Sequence, residues 1–177
     1  ITNATLTFTN WATALNAVTV TVQNAGTLSL AAAFTNNQMS NRVWLVCADF
    51  TLNAGGTLLA DERGYAGANG PGRGGDATGS RFYGGSGGAG YGGKGGSGTY
   101  TGGGPAYGST NGPLDPGSGG GSTDSANNGG HGGGAVRIEA TGGVTIDGTV
   151  TANGGNGWNV GWGAGGGGSG GAIYITC

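Results

Sequence analysis

The chain has 177 residues, 48 of them glycine, with 8% charged and 35% hydrophobic residues, a formal net charge of −2 and a pI near 5.0. Ordinary usage is about 7% glycine, and a disordered tail would carry more charge. Five Arg and one Lys leave little to neutralise a phosphate backbone, and no apolar run approaches the roughly 18 residues of a bilayer span, so nucleic-acid and membrane-spanning readings are set aside.

The length suits one domain, 1–177, read as N-terminal strands (1–63), a glycine-rich insertion (64–134) and C-terminal strands (135–177). Ile1 stands where a Met would, and no basic, apolar and small-residue leader is visible, which leads to the expectation of a processed, secreted chain. Asn3-Ala4-Thr5 is an N-x-[ST] sequon and makes Asn3 a candidate glycosylation site. Residues 1–63 hold three glycines, and Thr5–Thr9, Val18–Val22, Thr27–Leu30 and Val43–Cys47 alternate or are β-branched, the pattern of half-buried strands. The small-residue run Trp11–Ala17 is the one place where a short helical turn competes.

Residues 64–134 carry 31 glycines. Gly84, Gly87, Gly90, Gly93 and Gly96 recur every third residue, which is the polyproline-II period. A helix of that type has no internal hydrogen bonds, so its backbone must pair with water or with adjacent segments, and glycine permits the approach. The tract is therefore read as polyglycine-II-like, with Ser86, Ala89, Tyr91, Lys94 and Ser97 facing outward. Collagen is excluded, because the triplet breaks after Gly96 and the chain has four prolines.

Three segments repeat: Val43-Trp44-Leu45-Val46-Cys47, Val136-Arg137-Ile138-Glu139-Ala140 and Ile173-Tyr174-Ile175-Thr176-Cys177. The last two are entered through Gly133-Gly134-Ala135 and Gly170-Gly171-Ala172, and Phe50-Thr51-Leu52-Asn53 is echoed by Val144-Thr145-Ile146-Asp147. Units that cannot bury an apolar face alone stack on their neighbours. The expected fold is all-β, a parallel β-solenoid with 43–63, 135–153 and 172–177 as successive rungs. In that order Cys177 lies two strand spacings from Cys47, beyond disulfide reach, which points to free or intermolecular thiols.

The strings Gly132–Ala140, Val144–Gly157 and Gly166–Ile175 resemble the glycine-rich β-solenoid repeats of large secreted microbial surface and adhesin-like proteins. The tract is similar, more loosely, to the polyglycine-II layers of phage tail-tip adhesins. The resemblance covers about residues 43–177, leaves 1–42 outside, implies an extracellular structural or adhesive role, and brings no catalytic residues with it.

Motifs of chemistry are sparse. Gly84–Gly88 and Gly167–Gly171 satisfy G-x-S-x-G, but as products of composition, and Gly88–Lys94 lacks the Ser or Thr of a phosphate loop. His131 is the single histidine, so a zinc site lacks ligands, and no Asp-rich calcium loop surrounds Asp115, Asp124 or Asp147. Asp61-Glu62-Arg63 is the densest charge cluster, read as a turn with Arg63 paired to a carboxylate. The pairs Thr5/Thr7/Thr9, Thr19/Thr21 and Thr149/Thr151 suggest an ice-binding face, but do not recur at a regular spacing in the sequence.

The expected function is an extracellular, non-enzymatic structural protein without cofactor or metal. Its copies self-associate, in one form head to tail into a filament or surface layer, through edge strands bearing Thr5, Thr7, Thr9, Ile173, Ile175 and Cys177. The alternative is an adhesin that offers Trp158, Trp162, Tyr91, Tyr100 and Tyr107 to a cell-surface glycan or to another subunit. A polysaccharide-active enzyme is the weakest reading.

Overall fold

The computed structural model describes residues 1–35, 39–78, 84–123, 128–161 and 163–177. They form an all-β structure of nine strands: β1 (Thr5–Phe8), β2 (Leu15–Val22), β3 (Thr27–Leu30), β4 (Val43–Leu52), β5 (Thr57–Leu59), β6 (Ala135–Ala140), β7 (Val144–Ile146), β8 (Thr149–Thr151) and β9 (Ala172–Thr176). One sheet runs β1-β3-β5-β8 and the other β2-β4-β6-β9, with β7 beside the second half of β4. Every strand pairing within the two sheets is parallel. Among the described residues no helix is long and apolar enough to cross a membrane.

The pairing register is that of the sequence repeat. Val43 lies beside Val136 and Cys47 beside Ala140, while Val136 lies beside Ile173 and Glu139 beside Thr176. Strands β1, β2 and β3, outside the resemblance, join the same sheets: in β2 and β3 Leu15 pairs with Leu45, Val20 with Phe50 and Thr27 with Thr57, a constant offset of 30 residues. No helical turn forms at Trp11–Ala17, where β2 already begins at Leu15. Instead the Asn10 side-chain oxygen accepts the N–H groups of Ala12 at 2.7 Å and Thr13 at 3.1 Å, the local bonding by which Asn favours turns over helix.

Alternation puts one side of each strand between the sheets. Leu28, Leu45, Phe50, Leu52, Leu58 and Ile138 are fully buried there, each contributing roughly 1.5–3 kcal/mol. In β4 the buried parity switches between Cys47 and Phe50, so the strand turns a corner at Ala48–Asp49. In the next layer that corner opens into a turn, where Gly143 N–H donates to the Asp49 carboxylate at 2.8 Å and Gly142 N–H to the Ala48 carbonyl at 2.8 Å.

The glycine-rich segments 64–78, 84–123, 128–134, 152–161 and 163–171 bond to one another, so the second glycine cluster belongs with the first. Their donors follow a three-residue step. Gly165, Gly168 and Gly171 donate to the carbonyls of Trp158, Gly155 and Ala152. Ser86 and Ala89 donate to Ala164 and Gly167, Gly87 and Gly90 to Gly75 and Gly72, and Gly88 to Gly96. One segment thus addresses three neighbours in rotation. Close approach is obligatory: a Cβ on Gly74 would land on the Gly87 carbonyl oxygen. The outward placement expected for Ser86 is not observed; it is buried, and its hydroxyl accepts the Ala77 N–H at 3.3 Å. With neighbours on several sides, a three-fold segment has no uniformly solvent-facing position.

Candidate functional site

The ends of the two sheets stand out first. β1 and β2 have no further strand on one side, and β8 and β9 none on the other, among the described residues. Leu6 (38% exposed) and Leu15 (37%) are displayed at the first end, and Ile146 and Ile173 at the second. Of the edge residues expected from sequence, Thr5 and Thr7 lie in β1 and Ile173 and Ile175 in β9; Thr9 falls one residue past β1 and Cys177 one past β9. Both cysteines are free, Cys47 buried and Cys177 exposed. Burial, with Asp49 adding to it, pushes the Cys47 thiol above its ordinary pKa and so disfavours its thiolate.

Threonine does recur in space at one residue per layer, although it does not in sequence. Thr5, Thr27, Thr57 and Thr149 form an unbroken column on the first sheet. Insertions of unequal length between layers hide it. The neighbouring column, Thr7–Ser29–Leu59–Thr151, is interrupted by Leu59, so the Thr-x-Thr pairs do not extend into a two-column array.

The outer face of the second sheet carries a cation–π stack that the sequence reading did not single out. The Arg42 guanidinium lies 4.7 Å from the Trp11 ring centroid and 4.1 Å from that of Trp44, and Arg137 lies 4.8 Å from Trp44 on the next layer. Trp44 Nε1–H donates to Glu139 at 2.7 Å, and Arg137 pairs with the same carboxylate at 2.8 Å. The Trp44 hydrogen bond first, then Arg137, hold the Glu139 carboxyl below its usual pKa against the opposing effect of burial. The signal was present in the repeat, where Trp44 and Arg137 occupy equivalent positions.

The aromatic residues of the glycine tract divide. Tyr91 and Tyr107 pack edge to face, 5.0 Å apart at 74°, and the Tyr107 hydroxyl donates to the Pro116 carbonyl. Burial pushes the Tyr91 phenol up to about 12, and that of Tyr107 further. These two rings hold segments together. Tyr100 and Trp158 are exposed. The Tyr100 ring lies against Gly84, Gly85 bridges to Ala164, and Gly165 N–H donates to the Trp158 carbonyl. Trp162 and Asp124 lie outside the described residues. Asn3 is exposed beside β1.

Asp61, Glu62, Arg63 and His131 line an open groove of about 600 Å³. Asp61 accepts the Asn153 N–H at 2.6 Å, and His131 Nδ1 accepts the Gly67 N–H at 3.0 Å, so both are engaged in holding backbone. The ion pair expected of Arg63 does not form among the described residues, where the pairs are Arg73–Asp76 at 2.6 Å and Arg137–Glu139 at 2.8 Å. No group of three or more metal-ligating side chains occurs among the described residues. Neither a family model, nor a curated protein, nor a solved structure matches this chain.

Proposed function

We propose that the protein is an extracellular structural subunit whose strand layers stack as a parallel β-solenoid and whose copies associate head to tail into a filament or surface layer. The observation that carries this reading is that, among the described residues, both sheets end in both directions on unpaired strands bearing apolar side chains. Such edges are templates for further pairing, and soluble monomers blunt them with charge, proline or bulges. β1, β2, β8 and β9 contain no charged residue and no proline. The glycine segments, on this reading, form a polyglycine-II bundle beside the stack, supported by the three-residue rotation of their donors. Electron microscopy of native material, with its mass distribution in solution, tests the proposal. Regular filaments or sheets are expected, and a monodisperse monomer at all concentrations overturns it.

A second reading, an adhesin, is favoured by Tyr100 and Trp158 standing exposed on the glycine-rich segments. Aromatic faces of this kind stack on sugar rings. Saturable binding on a glycan array that is lost in a Tyr100→Ala/Trp158→Ala variant would establish it; an array without signal would remove it.

A further inference from the structure

The open groove of about 600 Å³ is walled by two kinds of chemistry. Ala33, Leu59 and Ala66 make one part of the wall apolar, and Asp61, Glu62, Arg63 and His131 supply the polar part. Its volume falls among those of small-molecule sites, which combine an apolar wall with a few placed polar groups. The groove is built from residues that follow β3, from the end of β5 and the turn after it, and from His131 of the glycine-rich segments. No residue of a sheet-edge strand lines it.

Backbone contacts hold the polar groups in place. One Asp61 carboxylate oxygen accepts the Asn153 N–H at 2.6 Å, and the Glu62 N–H donates to the Asn153 carbonyl at 2.9 Å, so residues 61 and 62 are clamped to the next layer. His131 Nδ1 accepts the Gly67 N–H at 3.0 Å, which leaves the proton of the neutral ring on Nε2 as a donor. Glu62 and Arg63 are neighbours of opposite charge, yet among the described residues neither the Glu62 carboxylate nor the Arg63 guanidinium has a hydrogen-bond or ion-pair partner. Glu62 also sits at φ 56°, in the left-handed region, where a side chain crowds the backbone and glycine fits freely. A Cβ on Gly155 would come within 2.8 Å of the Glu62 carboxyl carbon, so the space for that carboxylate is kept open by a glycine. In a chain of 48 glycines, a glutamate held in this conformation without a partner marks a side chain retained for something other than the fold.

We infer that this groove binds a neutral sugar unit of a glycan, independently of the head-to-tail reading and of the exposed Tyr100 and Trp158. A sugar ring has an apolar C–H face, which the wall of Ala33, Leu59 and Ala66 receives, and hydroxyls that both donate and accept. Glu62 and the second oxygen of Asp61 accept from hydroxyls, while Arg63 and the His131 Nε2–H donate to them, charge-assisted bonds in three of the four cases. Two accepting and two donating side chains suit groups that do both. A uronate would set a further negative charge beside Asp61 and Glu62, and the ammonium of an amino sugar has no acceptor to offer Arg63 or His131.

The test is an array of neutral, uronate-containing and amino-sugar oligosaccharides at equal density, probed with the parent, Arg63→Ala, Glu62→Gly and Tyr100→Ala/Trp158→Ala. Saturable binding to neutral sugars is expected, with half-saturation at least about tenfold higher in Arg63→Ala and Glu62→Gly and unchanged in the aromatic variant. Glu62→Gly removes the carboxylate and the left-handed crowding together, so its Tm is expected to equal or exceed that of the parent while binding falls, a split that a purely structural role would not give. Binding that survives in Arg63→Ala and Glu62→Gly but is lost in the aromatic variant overturns the groove as the site and leaves the adhesin reading standing. Preference for uronates or amino sugars overturns the neutral-sugar assignment, and an array without signal overturns the inference. Should Arg63→Ala fail to fold, Glu62→Gly alone decides.

Discussion

Glu139 is where several weak contacts converge. It accepts from Trp44, pairs with Arg137, and closes a stack in which Arg42 lies between two indole rings. Cation–π contacts are worth about 0.5–2 kcal/mol each, depending on desolvation. The Glu139 carboxyl sits below the 4.5 of a free side chain, so its contribution to stability is present above that value and is lost as pH falls through the folded pKa. Acid denaturation followed by circular dichroism is expected to show stability declining below pH 4.5 in the parent. Glu139→Gln, which retains an acceptor for Trp44 but has no charge to titrate, is expected to flatten that decline. An identical acid profile in the two proteins would mean that the stack does not depend on the carboxylate's charge.

At the scale of elements, the strands follow ordinary alternation, and the unusual element is the glycine segment. A three-fold segment surrounded by partners has neighbours at some positions and open space at others, and the two are distinguishable by adding a methyl group. Gly74→Ala drives a Cβ into the Gly87 carbonyl, whereas Gly93→Ala meets nothing within 4 Å. Thermal unfolding is expected to show a loss of about 1–3 kcal/mol for the first, the usual cost of overpacking, and less than about 0.5 kcal/mol for the second. Equal, small effects would mean that the tract behaves as a loose linker. The positions within this element were not legible from the period alone. The triplet repeat predicts a three-fold backbone, but which residue of each triplet is enclosed depends on which segments surround it, as the buried Ser86 shows.

For the whole molecule, assembly should depend on its ends. Leu6 is partly exposed on β1 at the open end of the core column of Leu28 and Leu58, where a lysine can carry its charge out to water in the free subunit but not across the proposed junction. Leu6→Lys is expected to leave the subunit folded, within about 0.5 kcal/mol of the parent, and to raise the concentration at which scattering appears by roughly tenfold or more. Assembly at the parent concentration would remove β1 from the junction.

The sequence by itself determined the strands, the repeat that aligns Val43, Val136 and Ile173, and the separation of Cys47 from Cys177. These are local or periodic properties: alternation specifies which side chains share a face, and equivalent positions in a repeat must meet if the units stack. Only the tertiary structure decided that β1, β2 and β3 belong to the same two sheets, since β2 and β3 pair at an offset of 30 residues and β1 at 22, so no single period runs through them. It alone paired Tyr91 with Tyr107 while leaving Tyr100 and Trp158 exposed. Contacts between segments built mainly of glycine are non-local, and composition carries no address for them; the address comes from how the loops fold back. The Thr5–Thr27–Thr57–Thr149 column was hidden for the same reason, because insertions of unequal length separate residues that strand pairing sets side by side.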